Sequence, residues 1–304
     1  MAKDSLRPTS WDAYVGQVAL KGRLRVHIQS AIDRQAPVDH ILLCGPPGCG
    51  KTTLAGLIAQ ERMWPLTEWL ASTTTRPNDV YDLLMSNEGV IFMDEIHRLK
   101  PAVQEELLLP LEDGAFQRPW GKEKLLYPIT IIGATTEPDR IIKPLYQRFM
   151  IRPPFEPYTD EQMAEIVKGM FSKVCPDKAM PDDHALVLGR AAAGSPRQAK
   201  ALVFAARDTR ETNPHLVLRL AGITPDGLTL HHINYLKTLR RNSKGTAGVK
   251  VLAASLGMPD NAVIDLEQGL IRLDLIEYSP GGRSLKPRGQ KFVHELLHKE
   301  KSDD

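Results

Sequence analysis

The sequence predicts an α/β fold in three parts: a parallel-sheet domain over residues 1–156, a helical domain over 157–222 and a winged-helix domain over 223–304. Three observations carry that prediction. Short apolar runs at 41–44, 90–93 and 129–134 have the length and β-branched content of buried strands, and helical patterns separate them. Beyond Pro157 the strand signals stop and helical spacing takes over. Near the C-terminus, three small helices precede a basic stretch with S-P-G-G-R at 279–283, the pattern of helices followed by a Gly/Pro-tipped hairpin.

The chain has 304 residues, 42% of them hydrophobic and 25% charged, the composition of an ordinary globular protein with room for more than one core. Lys and Arg number 39 against 37 Asp and Glu, a net charge of +2, so any nucleic-acid surface has to be local. The three cysteines, Cys44, Cys49 and Cys175, have no metal-ligand spacing, which suits a reducing compartment. There is no signal-like leader and no apolar run approaching about 18 residues, so a cytoplasmic protein is expected.

Before the first strand, residues 6–17 set a tryptophan and a tyrosine between a proline and a glycine. Either Pro8, Tyr14 and Val15 wall a flat heteroaromatic base, or the segment is a packed arm. Residues 18–35 have helical spacing, with Leu20, Leu24, Ile28 and Ile32 in one row.

The apolar run at 41–44 leads directly into Gly45, Pro46, Pro47, Gly48, Cys49, Gly50, Lys51, Thr52 and Thr53. The spacing fits G-x-x-x-x-G-K-[ST], placed between a strand and a helix as that motif requires. Glycines let backbone N–H groups converge on an anion at a helix N-terminus, where the helix dipole also favours negative charge. Lys51 would reach the β- and γ-phosphates of a nucleotide, and Thr52 would offer its hydroxyl to Mg²⁺.

The helix after this loop is expected to stop at Pro65, and residues 67–79 read as polar and turn-rich. Then V-I-F-M ends in Asp94 and Glu95. An apolar strand ending in two acids, downstream of a phosphate loop, gives Asp94 to the metal and Glu95 to the attacking water. One helix is expected over 101–111. Residues 114–127 mix aromatic and basic side chains around Trp120, as a surface loop or as a contact element for DNA or a partner protein. The strand at 129–134 ends in Thr135 and Thr136, and Arg148 stands alone before a proline cluster at 153–157.

T-D-E-Q at 159–162 is a capped helix start. Two further helices follow, and Arg197, in G-S-P-R-Q at 194–198, falls in the first turn of the second, where it could fold onto the phosphates. From about Ile223, helices at 228–239, 249–256 and 261–273 precede a basic hairpin over 276–289. Arg283, Lys286 and Arg288 along this wing, with Arg240, Arg241 and Lys244 nearby, would supply phosphate contacts. Winged helices also serve as protein-docking modules, and both uses remain open here.

Taken in order, R-P-x-x-W-D-x-Y-V-G-Q, G-P-P-G-C-G-K-T-T, D-E-I-H-R, G-A-T-T, P-L-x-x-R-F, G-S-P-R, L-A-A-S-L-G and S-P-G-G-R resemble the RuvB family of AAA+ motors of Holliday-junction branch migration, over nearly the whole chain. The resemblance implies an AAA+ ATPase domain, a helical lid and a winged helix. It implies ATP and Mg²⁺ as ligands, with Lys51, Asp94, Glu95, Thr136 as first sensor, Arg197 as second sensor and Arg148 as an arginine finger reaching the adjacent subunit. Nucleotide contacts extend by the same resemblance to Arg7, Pro8, Tyr14, Val15, Tyr158 and Pro196. It further implies a hexameric ring of identical subunits around double-stranded DNA at a four-way junction, held by a RuvA-type partner that docks on a hairpin between the acid-pair and sensor strands. Three features depart from the family pattern: Tyr146 replaces one of two arginines near the finger, Glu137 follows G-A-T-T where the family has arginine, and the segment 114–127 is shorter and differently composed. An ATP-dependent loader or switch that binds DNA without processive movement shares every one of these ATP-site residues.

Overall fold

The computed structural model describes residues 6–73, 76–116, 124–125, 128–242, 245–279 and 281–302. The chain divides into two compact units, Met1–Gln162 with Gly194–Arg197, and Met163–Ala193 with Gln198–Asp304. The expected winged-helix segment falls in the second, as does the expected helical segment except for residues 157–162 and 194–197, which belong to the first.

In the first unit, α1 (Val18–Asp33) leads to β1 (Ile41–Cys44), α2 (Lys51–Glu61), β2 (Leu66–Leu70), α3 (Pro77–Ser86), β3 (Gly89–Asp94), α4 (Pro101–Glu105) and α5 (Leu108–Asp113). A short hairpin of β4 (Ala115–Phe116) and β5 (Lys124–Leu125), then β6 (Ile129–Thr135) and α6 (Lys143–Arg148), complete it. The sheet is parallel, in the order β1-β6-β3-β2, with Cys44 level with Thr135 and Met93 level with Gly133. Strands adjacent in space but not in sequence need helical crossovers, which bury both faces and explain the uninterrupted apolar runs. All seven residues of β6 are buried.

Several sequence expectations need correction. In α1, Leu20, Leu24 and Ile28 are buried, but Ile32 is 37% exposed and Ala31 takes the inward place. A four-residue row drifts off a face that repeats every 3.6 residues. The helix α2 ends at Glu61, before Pro65, because Met63 turns the chain at φ 51°. Strand β2 and helix α3 occupy residues read as turn-rich. β2 is an edge strand whose residues are largely half-buried or exposed, so it lacks the apolar signal of its neighbours. The expected single helix over 101–111 is two, α4 and α5. Restarting at Leu108 puts Pro110 in a first turn, where its missing N–H costs no helical bond. Strands β4 and β5 pair as the base of the hairpin read at 114–127, while its tip, with Trp120, lies outside the described residues.

The second unit begins within α7 (Asp160–Val174), whose start carries the expected reciprocal cap: the backbone N–H of Gln162 donates to Thr159 Oγ1 at 3.2 Å and that of Thr159 to Gln162 Oε1 at 3.1 Å. Helices α8 (Asp182–Ala191), α9 (Pro196–Thr209) and α10 (Pro214–Ala221) follow. Then come α11 (Leu230–Arg241), β7 (Thr246–Ala247), α12 (Val249–Leu256), α13 (Asp260–Arg272), β8 (Ile276–Ser279), β9 (Gly282–Leu285) and α14 (Pro287–Ser302). Strands β7, β9 and β8 form a small antiparallel sheet, and Tyr235, Leu236, Leu252, Val263, Leu270 and Val293 lie in the core beside it. The hairpin is shorter than expected: it closes at Leu285, and Pro287 opens a helix with its preset φ. Arg288 is therefore on α14, not on the wing.

Candidate active site

The loop between β1 and α2 is shaped by two glycines in the left-handed region, Gly48 at φ 77° and Gly50 at φ 104°. A methyl on Gly48 would lie 2.8 Å from Arg197 Cβ, and one on Gly50 2.5 Å from Tyr14 Oη. Both positions are closed to larger residues by conformation and by space. The Gly45 N–H donates to Thr135 O at 3.1 Å, tying the start of the loop to the end of β6. Lys51 is 7% exposed, and its Nζ donates to Gly45 O at 2.8 Å and Pro46 O at 3.0 Å, inside the curl of the loop. Thr52 and Thr53 follow in the first turn of α2, where free backbone N–H groups and the dipole make an anion site. Pro46 and Pro47 form the exposed outer edge of the loop.

Two phenols brace this loop from behind. Tyr14 Oη and Tyr158 Oη donate to Cys49 O at 3.4 Å and 3.2 Å. Burial, reinforced by Tyr158, pushes the Tyr14 phenol well above its usual range, so it acts as a neutral donor. The 6–17 segment is thus a packed arm at Trp11 and Tyr14, which are 5% and 3% exposed. Trp11 Nε1 donates to Glu61 Oε2 at 3.2 Å, and Gln17 exchanges hydrogen bonds with the Glu156 backbone at 2.7 Å and 2.9 Å. Pro8 and Val15 are half-buried, and Arg7 pairs with Glu68 at 2.9 Å.

At the tip of β3, Asp94 accepts from the Glu95 N–H at 3.1 Å. Glu95 has φ 55°, strained for a residue with a side chain, and the turn it makes leads into Ile96–Arg98. Its Oε2 accepts from Thr136 Oγ1 at 3.3 Å and lies 3.3 Å from His97 Nδ1. The register puts β1, β6 and β3 side by side, so the phosphate loop, Thr136 and the acid pair emerge from neighbouring strand ends. The Thr52 hydroxyl and Asp94 carboxylate are hard oxygen donors of the kind that suit Mg²⁺, which takes few protein ligands and shares the rest with phosphate and water. His97, which appears in the sequence only as a motif letter, is 4% exposed and central to this cluster.

Pro196 and Arg197 open α9, and Arg197, itself exposed, stands with its Cβ against Gly48. Arg148, the last residue of α6, donates through Nε to Glu112 Oε2 at 2.9 Å and through Nη1 to Pro144 O at 3.2 Å.

The basic residues of the winged helix are arranged less freely than expected. Arg283 Nε donates to Glu267 Oε1 at 2.8 Å, and Glu267 is fully buried. Tyr235 Oη and Tyr278 Oη donate to the same carboxylate at 2.9 Å and 2.7 Å. Arg283 is thus turned inward as the counter-charge of a buried acid, which would otherwise be costly to hold. Lys286 pairs with Asp274, and Arg240 Nη1 donates to Gln290 O at 3.1 Å. Arg241 and Arg288 are exposed, and Lys244 lies outside the described residues.

A phosphate cradle and an acid pair on neighbouring strand ends of a parallel sheet are the arrangement of P-loop ATPases. Family models agree: one described as the Holliday junction DNA helicase RuvB P-loop domain matches residues 6–154, and one described as the RuvB C-terminal winged helix domain matches residues 225–294. The Holliday junction branch migration complex subunit RuvB of Borreliella burgdorferi is 31% identical over 100% of this chain and 91% of its own length. That of Treponema pallidum is 36% identical over 93% of this chain and 86% of its own. The solved structure of the Thermotoga maritima RuvB Holliday junction branch migration motor matches with a TM-score of 0.84 and 32% identity, covering 95% of this chain and 98% of that one. The chain belongs to the RuvB family. Among the described residues, no helix is long and apolar enough to cross a membrane.

Proposed function

We propose that this protein is an ATP-driven motor that moves duplex DNA through a four-way junction, hydrolysing ATP at the interfaces of a ring of identical subunits, most simply a hexamer. In-line attack on the γ-phosphate needs positioning and charge neutralisation rather than covalent chemistry. Lys51 and the N–H groups of the loop bind the phosphates, Thr52 and Asp94 hold Mg²⁺, and Tyr14 and Tyr158 keep the loop in shape. Mg²⁺ held by Thr52 and Asp94 would supply charge neutralisation to the phosphates. Glu95 takes the proton of the attacking water, Thr136 orients it, and Arg197 senses the γ-phosphate from the start of α9, within the helical lid, residues 157–222. Arg148 leaves Glu112 to meet the nucleotide of the adjacent subunit. The exposed pair is worth only about 0–1 kcal/mol, a small barrier to release.

In this reading the winged helix, residues 223–304, tracks the DNA backbone, chiefly through Arg241 and Arg288. A RuvA-type junction-binding protein is the partner class that the family suggests, with docking on the β4–β5 hairpin. The observation that carries the reading is a phosphate cradle beside the hydrogen-bonded Glu95 carboxylate, in a chain that aligns along its length with branch-migration subunits.

The test is a synthetic four-way junction with ATP, with and without a RuvA-type protein. Conversion to two duplexes is expected, and none with Glu95→Gln. DNA binding and hydrolysis without conversion in either condition would overturn the motor reading in favour of a loader or switch.

A further inference from the structure

We propose that Arg152 is a second interface cation: together with Arg148 it meets the phosphates of the nucleotide held by the adjacent subunit, and Tyr146 is the residue that aims it. The inference rests on the reading of Arg148 as a finger that acts across the interface, given above. It starts from Ile151, which bridges Ile41 in parallel register, accepts from the Leu42 N–H at 2.9 Å and donates to His40 O at 3.3 Å. The backbone here is an added edge beside β1, and successive side chains of an extended edge point to opposite faces. Ile151 belongs to the core on one face of the sheet, with Leu24, Ile28 and Ile58. Arg152 is thereby turned to the other face, where Leu145, Tyr146 and Phe149 lie.

The Arg152 guanidinium carbon stands 4.6 Å from the centroid of the Tyr146 ring, and its Nη1 donates to Tyr146 O at 2.9 Å. Stacking on a ring orients a guanidinium without using its N–H groups. Arg152 is exposed, and among the described residues its Nε and Nη2 have no acceptor. Arg148, by contrast, is engaged by Glu112 through Nε and Nη2 and by Pro144 O through Nη1. Tyr146 stands where the family pattern has an arginine, and the stack returns a guanidinium to that place from six residues further along the chain. Phosphoryl transfer spreads negative charge over the oxygens of the transferred group, and a guanidinium presents pairs of N–H groups that match phosphate geometry. Two such forks beside the last turn of α6 engage more of those oxygens than one. Because the stack already orients Arg152, less freedom is lost when it binds.

Three full-length variants test this, Arg152→Gln, Arg148→Ala and a Tyr146→Arg/Arg152→Gln swap, with ATP turnover, ATP binding and assembly measured separately. Arg152→Gln is expected to lower kcat about tenfold, small beside the roughly 10³–10⁵ of a finger, with ATP binding and assembly unchanged. The swap carries the cation on residue 146 itself and is expected to recover most of that loss, whereas a merely structural role for the stack predicts no recovery. In an equimolar mixture with Glu95→Gln, which supplies intact Arg152 but no base, turnover per Arg152→Gln subunit is expected to rise several-fold, as action across an interface requires. A swap no better than the single variant, or no rise in the mixture, would overturn the proposal. So would turnover of Arg152→Gln within about twofold of the parent while Arg148→Ala is inactive, a result that leaves the finger reading standing. Near-normal turnover by Arg148→Ala would instead overturn the finger reading, and the proposal with it.

Discussion

The phosphate loop and the wing are both places where charged residues were read as functional, and the structure treats them differently. In the loop, Lys51, Glu95 and Thr136 converge because each follows a strand end in one parallel sheet, and register leaves them little freedom. In and beside the wing, Arg283, Lys286 and, on α11, Arg240 are occupied within the chain by Glu267, Asp274 and the Gln290 carbonyl. A motif with fixed spacing specifies geometry, whereas a count of basic residues specifies only composition. The partner of a basic residue can come from anywhere in the fold.

The largest effect expected outside the ATP site follows from that contrast. Removing Arg283 strands the buried Glu267, so Arg283→Ala should lower the stability of the second unit by about 3–5 kcal/mol. By contrast, Arg288→Ala, at an exposed position, should leave stability unchanged, weaken duplex binding and reduce its salt dependence by about one counterion. Denaturant unfolding alongside binding at several salt concentrations separates them. Equal stability of the two variants would mean that the inward role of Arg283 is misread.

A smaller effect should be common to both units. Burial lowers His40 in the first and His232 in the second to about 4. Each stays neutral in the folded state, where His40 Nδ1 accepts from the Ile131 N–H at 2.9 Å and His232 Nδ1 from the Thr229 N–H at 3.0 Å. Below pH 6.5 the unfolded chain binds a proton that the folded chain refuses, so the stability each confers is intact above 6.5 and falls as pH drops toward 4. Between pH 7.5 and 5.5 the loss is about 1 kcal/mol per histidine. His40→Gln and His232→Gln should each flatten that slope, and a pH-independent unfolding midpoint in the parent protein would contradict it.

What was legible in the sequence was what is local. The loop, the acid pair, the cap at Thr159 and the helix α12 closed by Gly257 all follow from residues within a few positions of one another. Strand β2 was not legible, because an edge strand with exposed residues has no apolar signature. Nor were the Arg283–Glu267 pair and the His97–Glu137 contact, since each joins residues far apart in sequence and brought together by folding. The D-E-I-H spacing contained a hint of the latter, as a histidine two positions after the base stays on the same turn.

The proposal that each nucleotide site is completed by the neighbouring subunit is tested most directly by complementation between two inactive variants. Glu95→Gln keeps Arg148 but loses its own base, and Arg148→Ala keeps the base but loses the group worth about 10³–10⁵ in turnover. Each should be inactive alone, and mixing them should restore part of the ATPase activity, at interfaces where the intact Arg148 of one variant meets the intact Glu95 of the other. Near-normal hydrolysis by Arg148→Ala alone, or no recovery in an assembled mixture, would contradict the account.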